Sequence, residues 1–234
     1  MSLKVALVLS GQPRSFRKGF EYHKKNLLDR FDVDVYTHSW KTIPIETQLE
    51  IAELYKPIYA SFSDIYEDME TISRRFQRLP NSQFPAINTY RMFFSLYESF
   101  NLIRKHDYDI VVRSRFDFAL NIIPPLHETR VNTVYVPSDR MTEAHDFCAD
   151  MFAWGTYNVM KKYTSVFANM EYLYKKYNLT YIGEDLLAAQ LKEEGLTGPN
   201  MAYVNMNNPF PPGDFNGNWH SLIRDDFRDW NKER

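Results

Sequence analysis

The sequence predicts an α/β protein: one mostly parallel β-sheet flanked by helices, in a single domain. Three observations carry that expectation. Lys4-Val-Ala-Leu-Val-Leu9 is an unbroken apolar run, as in a strand buried on both faces, and it stops at Ser10-Gly11-Gln12-Pro13. A second apolar run opens Asp109-Ile-Val-Val-Arg-Ser-Arg-Phe-Asp117 and ends abruptly in charge. Strand-like and helix-like segments alternate along the chain, the pattern of βαβ units.

In chain order, residues 16–30 read as a helix rich in Lys and Arg, and 33–37 as a second strand ending at His38-Ser39-Trp40. Residues 46–55 read as a helix and 57–62 as a third strand. The stretch 63–85 is polar, charged and without period. The clearest helix is 88–106, where Met92, Phe93, Leu96, Phe100 and Ile103 recur at helical spacing. After the charged strand come a Pro124-Pro125 connector and strands at 133–136 and 150–154. Helices at 156–177 and 184–194 follow, the last closed by Gly195. Residues 1–206 are taken as the domain and 207–234, with Pro209, Pro211 and Pro212, as an irregular tail packing on or near its cleft.

A chain of 234 residues with 44% hydrophobic and 25% charged residues buries an ordinary soluble core. Its net charge of −2 excludes a nucleic-acid surface spread over the whole molecule, while leaving room for a local basic cleft. Cys148 is the only cysteine, so no intrachain disulfide and no cysteine-based zinc site can form. The apolar run near the start is far too short for a signal peptide or a membrane span. The expectation is a cytoplasmic protein with no membrane span.

Four segments carry candidate chemistry. Alternation along a strand puts Arg113, Arg115 and Asp117 on one side, at a carboxyl end where α/β proteins hold ligands. The cluster suits an anion, a divalent cation or both; the alternative is charges that pair with each other at the surface. Ser10-Gly11-Gln12-Pro13-Arg14 forms the first strand-to-helix turn, where backbone amides and Arg14 favour a phosphate, or where a tight turn simply exposes an Arg. Glu184 and Asp185 open a helix. They serve its dipole, or one is a general base poised over a cleft. His38 and Trp40 line a base pocket or pack. Asp146 and Asp150 form an acidic patch with a structural His145, and His220 in the tail is a candidate metal or phosphate contact.

In this order the segments resemble the GT-A fold, a Rossmann-like architecture of nucleotide-sugar glycosyltransferases. The likeness is closest to small bacterial and large-DNA-virus transferases, whose first strand ends in Ser-Gly-Gln-Pro-Arg and which later carry Arg-x-Arg-x-Asp. The resemblance implies a single GT-A-like catalytic domain that takes a nucleoside-diphosphate sugar as donor and a glycan or other hydroxyl acceptor in polysaccharide biosynthesis. Ser10, Gly11, Gln12 and Arg14 would border the nucleotide, and His38 and Trp40 the base or ribose. Asp117 would take the last position of the family's Asp-x-Asp motif and hold Mn²⁺ or Mg²⁺, with Arg115 standing where the other aspartate belongs. Asp150 would face the sugar, and Asp185, or else Glu184, would be the catalytic base. The rival readings are a non-catalytic nucleotide-sugar-binding module and a sugar nucleotidyltransferase; Ser10-Gly-Gln-Pro lacks the longer Gly-rich triphosphate loop of the latter.

Overall fold

β1 (Lys4–Ser10) lies at the centre of a seven-stranded sheet. The computed structural model describes residues 3–64, 86–104, 107–138, 148, 150–179 and 183–205. Along β1 the side chains alternate between two cores: Ala6 and Val8 enter one, and Val5, Leu7 and Leu9 the other. All five are at most 1% exposed, which is why the strand reads as continuous apolar sequence rather than as alternation.

The other strands are β2 (Asp32–Trp40), β3 (Tyr59–Ser63), β4 (Ile110–Arg115), β5 (Val134–Ser138), β6 (Ala153–Gly155) and β7 (Met201–Asn205). Their order across the sheet is β3-β2-β1-β4-β6-β5-β7, and β6 alone runs antiparallel to its neighbours. α1 (Phe16–His23), continued by a π-helical turn at Lys24–Leu28, and α2 (Ile45–Tyr55) cover one face through Phe16, Ile51 and Tyr55. α3 (Ala86–Asn101), α4 (Tyr157–Thr164), α5 (Val166–Tyr177) and α6 (Gly183–Glu193) supply Phe93, Leu96, Met160, Leu173 and Leu187 to the other. The predicted α/β class and mostly parallel sheet are therefore what the chain forms. No helix among the described residues is long and apolar enough to cross a membrane.

Three elements differ from the sequence expectation. The single helix expected over 156–177 is two, α4 and α5, divided at Ser165. There Thr164 Oγ1 donates to the Lys161 carbonyl (3.2 Å) and Ser165 Oγ to that of Lys162 (2.8 Å), drawing carbonyls from the helical ladder. Gln190 Nε2 of α6 reaches into the same break, donating to the Lys162 carbonyl and to Ser165 Oγ, both at 2.9 Å. α3 stops at Asn101 rather than at 106. β7, not foreseen, is an edge strand pairing with β5. The stretch 65–85 and the tail from 206 lie outside the described residues.

Candidate active-site cleft

The register of the parallel strands places Ser10 opposite His38 on one side and Arg115 on the other, a row at the sheet's carboxyl edge. Gly11 follows at φ +100, a conformation that disfavours any residue with a Cβ, although nothing lies within 4 Å of where that Cβ would stand. Its amide donates to the His38 carbonyl (3.2 Å) and to Ser95 Oγ (2.9 Å), and its carbonyl accepts from Ser39 Oγ (2.8 Å). The Arg14 amide donates to the Gln12 carbonyl (2.9 Å). These two amides are thus committed within the turn. The expected backbone phosphate cradle loses them, and anion attraction here falls to the Arg14 side chain, which donates to Gln12 Oε1 at 2.5 Å.

A cleft of about 240 Å³ opens above this edge. Ser10, Gly11, Gln12 and Arg14 form one wall, with Trp40 beside them. Asn88, Arg91 and Met92 of α3 form the second, and Arg113 and Arg115 the floor. Trp40 stacks on Phe94 at 5.7 Å with its ring 18° from parallel. His38 is fully buried beneath: Nδ1 bonds Ser95 Oγ (2.7 Å) and Nε2 bonds Ser63 Oγ (2.9 Å). Both ring nitrogens are spent in the core, and burial pulls its pKa down to about 4.

Arg113 and Arg115 share the cleft side of β4, as alternation requires. Asp117 does not join them. The strand ends at Arg115, and a turn closed by the Phe118 amide on the Arg115 carbonyl (3.3 Å) carries Asp117 beyond the register. Its buried carboxylate accepts from Arg115 Nε (2.8 Å) and Nη2 (2.9 Å), one bond to each oxygen. This is the fork-to-carboxylate geometry that satisfies both groups. Each oxygen keeps a second lone pair, but the negative charge that would attract a divalent cation is already compensated by Arg115. Moreover, no three His, Cys, Asp or Glu side chains gather as a ligand set among the described residues. Among the described residues, Asp117 thus offers a single, already charge-compensated carboxylate for the metal that the resemblance implies.

Two acidic groups, Asp150 and Glu184 of α6, interact electrostatically with Arg115 of the cleft. Asp150 is 4% exposed and its Oδ2 has no hydrogen-bond partner among the described residues. Glu184, in the first turn of α6, has its pKa raised to about 7, first by burial and then by the negative charges of Asp150 and Asp185; Arg115 pulls the other way. Asp185, one residue on, instead lines a second cavity of about 580 Å³ with Tyr177, Leu191, Met201 and Tyr203. Arg113 is 1% exposed; one of its terminal nitrogens donates to the Met151 carbonyl, and its Nε has no hydrogen-bond partner among the described residues. The buried Tyr163 hydroxyl of α4, which interacts electrostatically with Arg113 and Asp150, is likewise unmatched among the described residues. Unmet polar atoms of this kind cost about 1–3 kcal/mol each. Three in one neighbourhood mark a place that a bound group or ordered water completes. His145, Asp146 and His220 lie outside the described residues.

Asn88, Arg91 and Tyr163 were not foreseen as site residues. A signal for the first two exists: Asn88, Arg91 and Ser95 fall at helical spacing and form a polar stripe on a helix whose other positions are rich in apolar residues, which such a helix carries where it faces something polar. Tyr163 gives no such sign, because an isolated Tyr on an amphipathic helix reads as packing.

No protein-family model and no curated protein matches this chain. Among solved structures, an active-site mutant of LgtC matches with 14% identity over 87% of this chain and 73% of its own, at a TM-score of 0.55. Galactosyltransferase LgtC in complex with donor and acceptor sugar analogs matches with 13% identity over the same shares, at 0.54. Together with the sheet order, these likenesses show a GT-A glycosyltransferase fold.

Proposed function

We propose that the protein transfers a sugar from a nucleoside-diphosphate sugar to an acceptor hydroxyl of a glycan. One observation carries the reading. In this fold, a guanidinium-lined cleft opens at the carboxyl ends of β1, β2 and β4, and its Arg115 interacts electrostatically with Glu184, a carboxyl group whose pKa is raised to about 7. At about 240 Å³ the cleft is smaller than the roughly 300–1,000 Å³ of whole small-molecule sites, so it suits the anionic middle of a donor rather than all of it.

In the proposed reaction the acceptor oxygen attacks the anomeric carbon, the bond from that carbon to the diphosphate breaks, and the acceptor proton passes to a carboxylate. Glu184 takes the role of base in preference to Asp185, because Glu184 is the one that senses Asp150 and Arg115, whereas Asp185 lines the other cavity. A base with its pKa near the working pH is well matched to proton transfer. Arg113 and Arg115 stabilise the charge that grows on the leaving diphosphate. Asp150 Oδ2, buried and unmatched among the described residues, is suited to accept a sugar hydroxyl.

The test is Glu184→Gln. Transfer should fall by about 10²–10⁴-fold, the usual worth of a general base, while nucleoside-diphosphate affinity holds. Wild-type transfer should rise with pH through about 7 as the carboxyl ionises. A variant that transfers at the wild-type rate removes Glu184 from the chemistry.

A further inference from the structure

A diphosphate needs compensating positive charge, and a protein can supply it with a divalent cation or with guanidinium groups. The first source meets an obstacle in Asp117, whose two oxygens are both held by Arg115 in a buried pair. The second is present in quantity. Arg14 from the β1–α1 turn, Arg91 from α3, and Arg113 and Arg115 from β4 all line the same cleft. Arg113 is the telling member. Its guanidinium is 1% exposed, and its Nε has no hydrogen-bond partner among the described residues. A guanidinium buried this deeply acts on a diphosphate in the cleft through its permanent charge rather than through a direct bond from that nitrogen. The amides of Gly11 and Arg14 are occupied inside their turn, so side chains rather than a backbone cradle must supply the contacts.

We propose that Arg14, Arg91, Arg113 and Arg115 together neutralise the donor diphosphate and that this site works without a divalent cation. The inference rests on the nucleotide-sugar reading above. Forked, permanently charged guanidinium groups bind phosphate oxygens in pairs, and arginine remains charged even where burial opposes it. Arg115 has a double part: it holds Asp117 with one edge and lines the cleft. Asp117 is then a positioning residue that fixes the Arg115 rotamer.

Calorimetric titration of the full chain with UDP, GDP and inorganic pyrophosphate, in excess EDTA and again in Mn²⁺, tests this. The expected result is binding of a nucleoside diphosphate in EDTA with a Kd within about threefold of its value in Mn²⁺, a difference well under 1.4 kcal/mol. Arg14→Gln and Arg91→Gln should each weaken that binding by about tenfold, the worth of one charge-assisted hydrogen bond. Arg113 is buried, so its replacement risks the fold; the two half-buried arginines carry the test. Binding that requires Mn²⁺ and vanishes in EDTA overturns this inference and leaves the nucleotide-sugar reading intact. Unchanged affinity in both arginine variants also overturns it. No binding in either condition overturns the nucleotide-sugar reading and this inference with it.

Discussion

Two buried histidines and the partly buried Glu184 tie the stability of the protein to pH, and they pull in opposite directions. His23 bonds Ser114 Oγ through Nε2 (2.8 Å) and Tyr55 Oη through Nδ1 (3.0 Å), and burial lowers its pKa to about 3. His38 is lowered to about 4 for the same reason. Below the ordinary value of 6.5 the unfolded chain takes up protons that the folded chain refuses, so stability falls as pH drops from about 6.5 toward those values. At pH 5 each imidazole costs about 2 kcal/mol by this linkage. Glu184 runs the other way: raised from 4.5 to about 7, it binds its proton more tightly folded than unfolded, and on acidification from pH 7 to 5 it offsets about one histidine. The urea midpoint should therefore drop between pH 7 and pH 5, and drop further in Glu184→Gln, where the offset is gone. A midpoint in that variant that is equal or higher at pH 5 would contradict the account.

α1 reaches the floor of the cleft through a glycine. A Cβ built on Gly19 would stand 1.9 Å from the Phe116 carbonyl oxygen, so the helix backbone lies directly on the turn that carries Asp117 out of β4. Gly19→Ala improves helix propensity by about 1 kcal/mol, yet overpacking against backbone costs about 1–3 kcal/mol, and the second effect wins where the neighbour is a strand exit rather than a movable side chain. The variant should lose about 1–2 kcal/mol of stability in urea titration, with weakened nucleoside-diphosphate binding as the Arg115–Asp117 pair is displaced. Unaltered stability would mean that α1 can slide. The elements most legible in the sequence were those whose pattern is local. β1 and β4 announce themselves by apolar runs, and α3 by its period. The break at Ser165 was not legible, because it is held open by Gln190 from another helix. β7 was missed because an edge strand buries little, and Met201–Asn205 carries no strong alternation.

At the scale of the molecule, the sheet order brings β1, β2 and β4 together, so that segments more than a hundred residues apart in sequence close on one cleft. The sequence pointed to the β4 strand end and to the Ser10–Arg14 turn, because charge after an apolar run is an anomaly visible without a fold. It left open whether the charges of Arg113, Arg115 and Asp117 pair with each other, and it could not show that Asp185 would line a second cavity, since both depend on where side chains meet in space. The Arg115–Asp117 pair and the placement of Asp185 are the observations behind the proposed reliance on arginines and on Glu184. The most direct measurement is release of free nucleoside diphosphate when the full chain is incubated with a panel of nucleotide sugars in EDTA and in Mn²⁺. Slow release from at least one donor is expected even without an acceptor, undiminished by EDTA and strongly reduced in Glu184→Gln. Binding of nucleoside diphosphate with no release from any donor, in either condition and with glycan acceptors added, would contradict it and leave a module that binds without turning over.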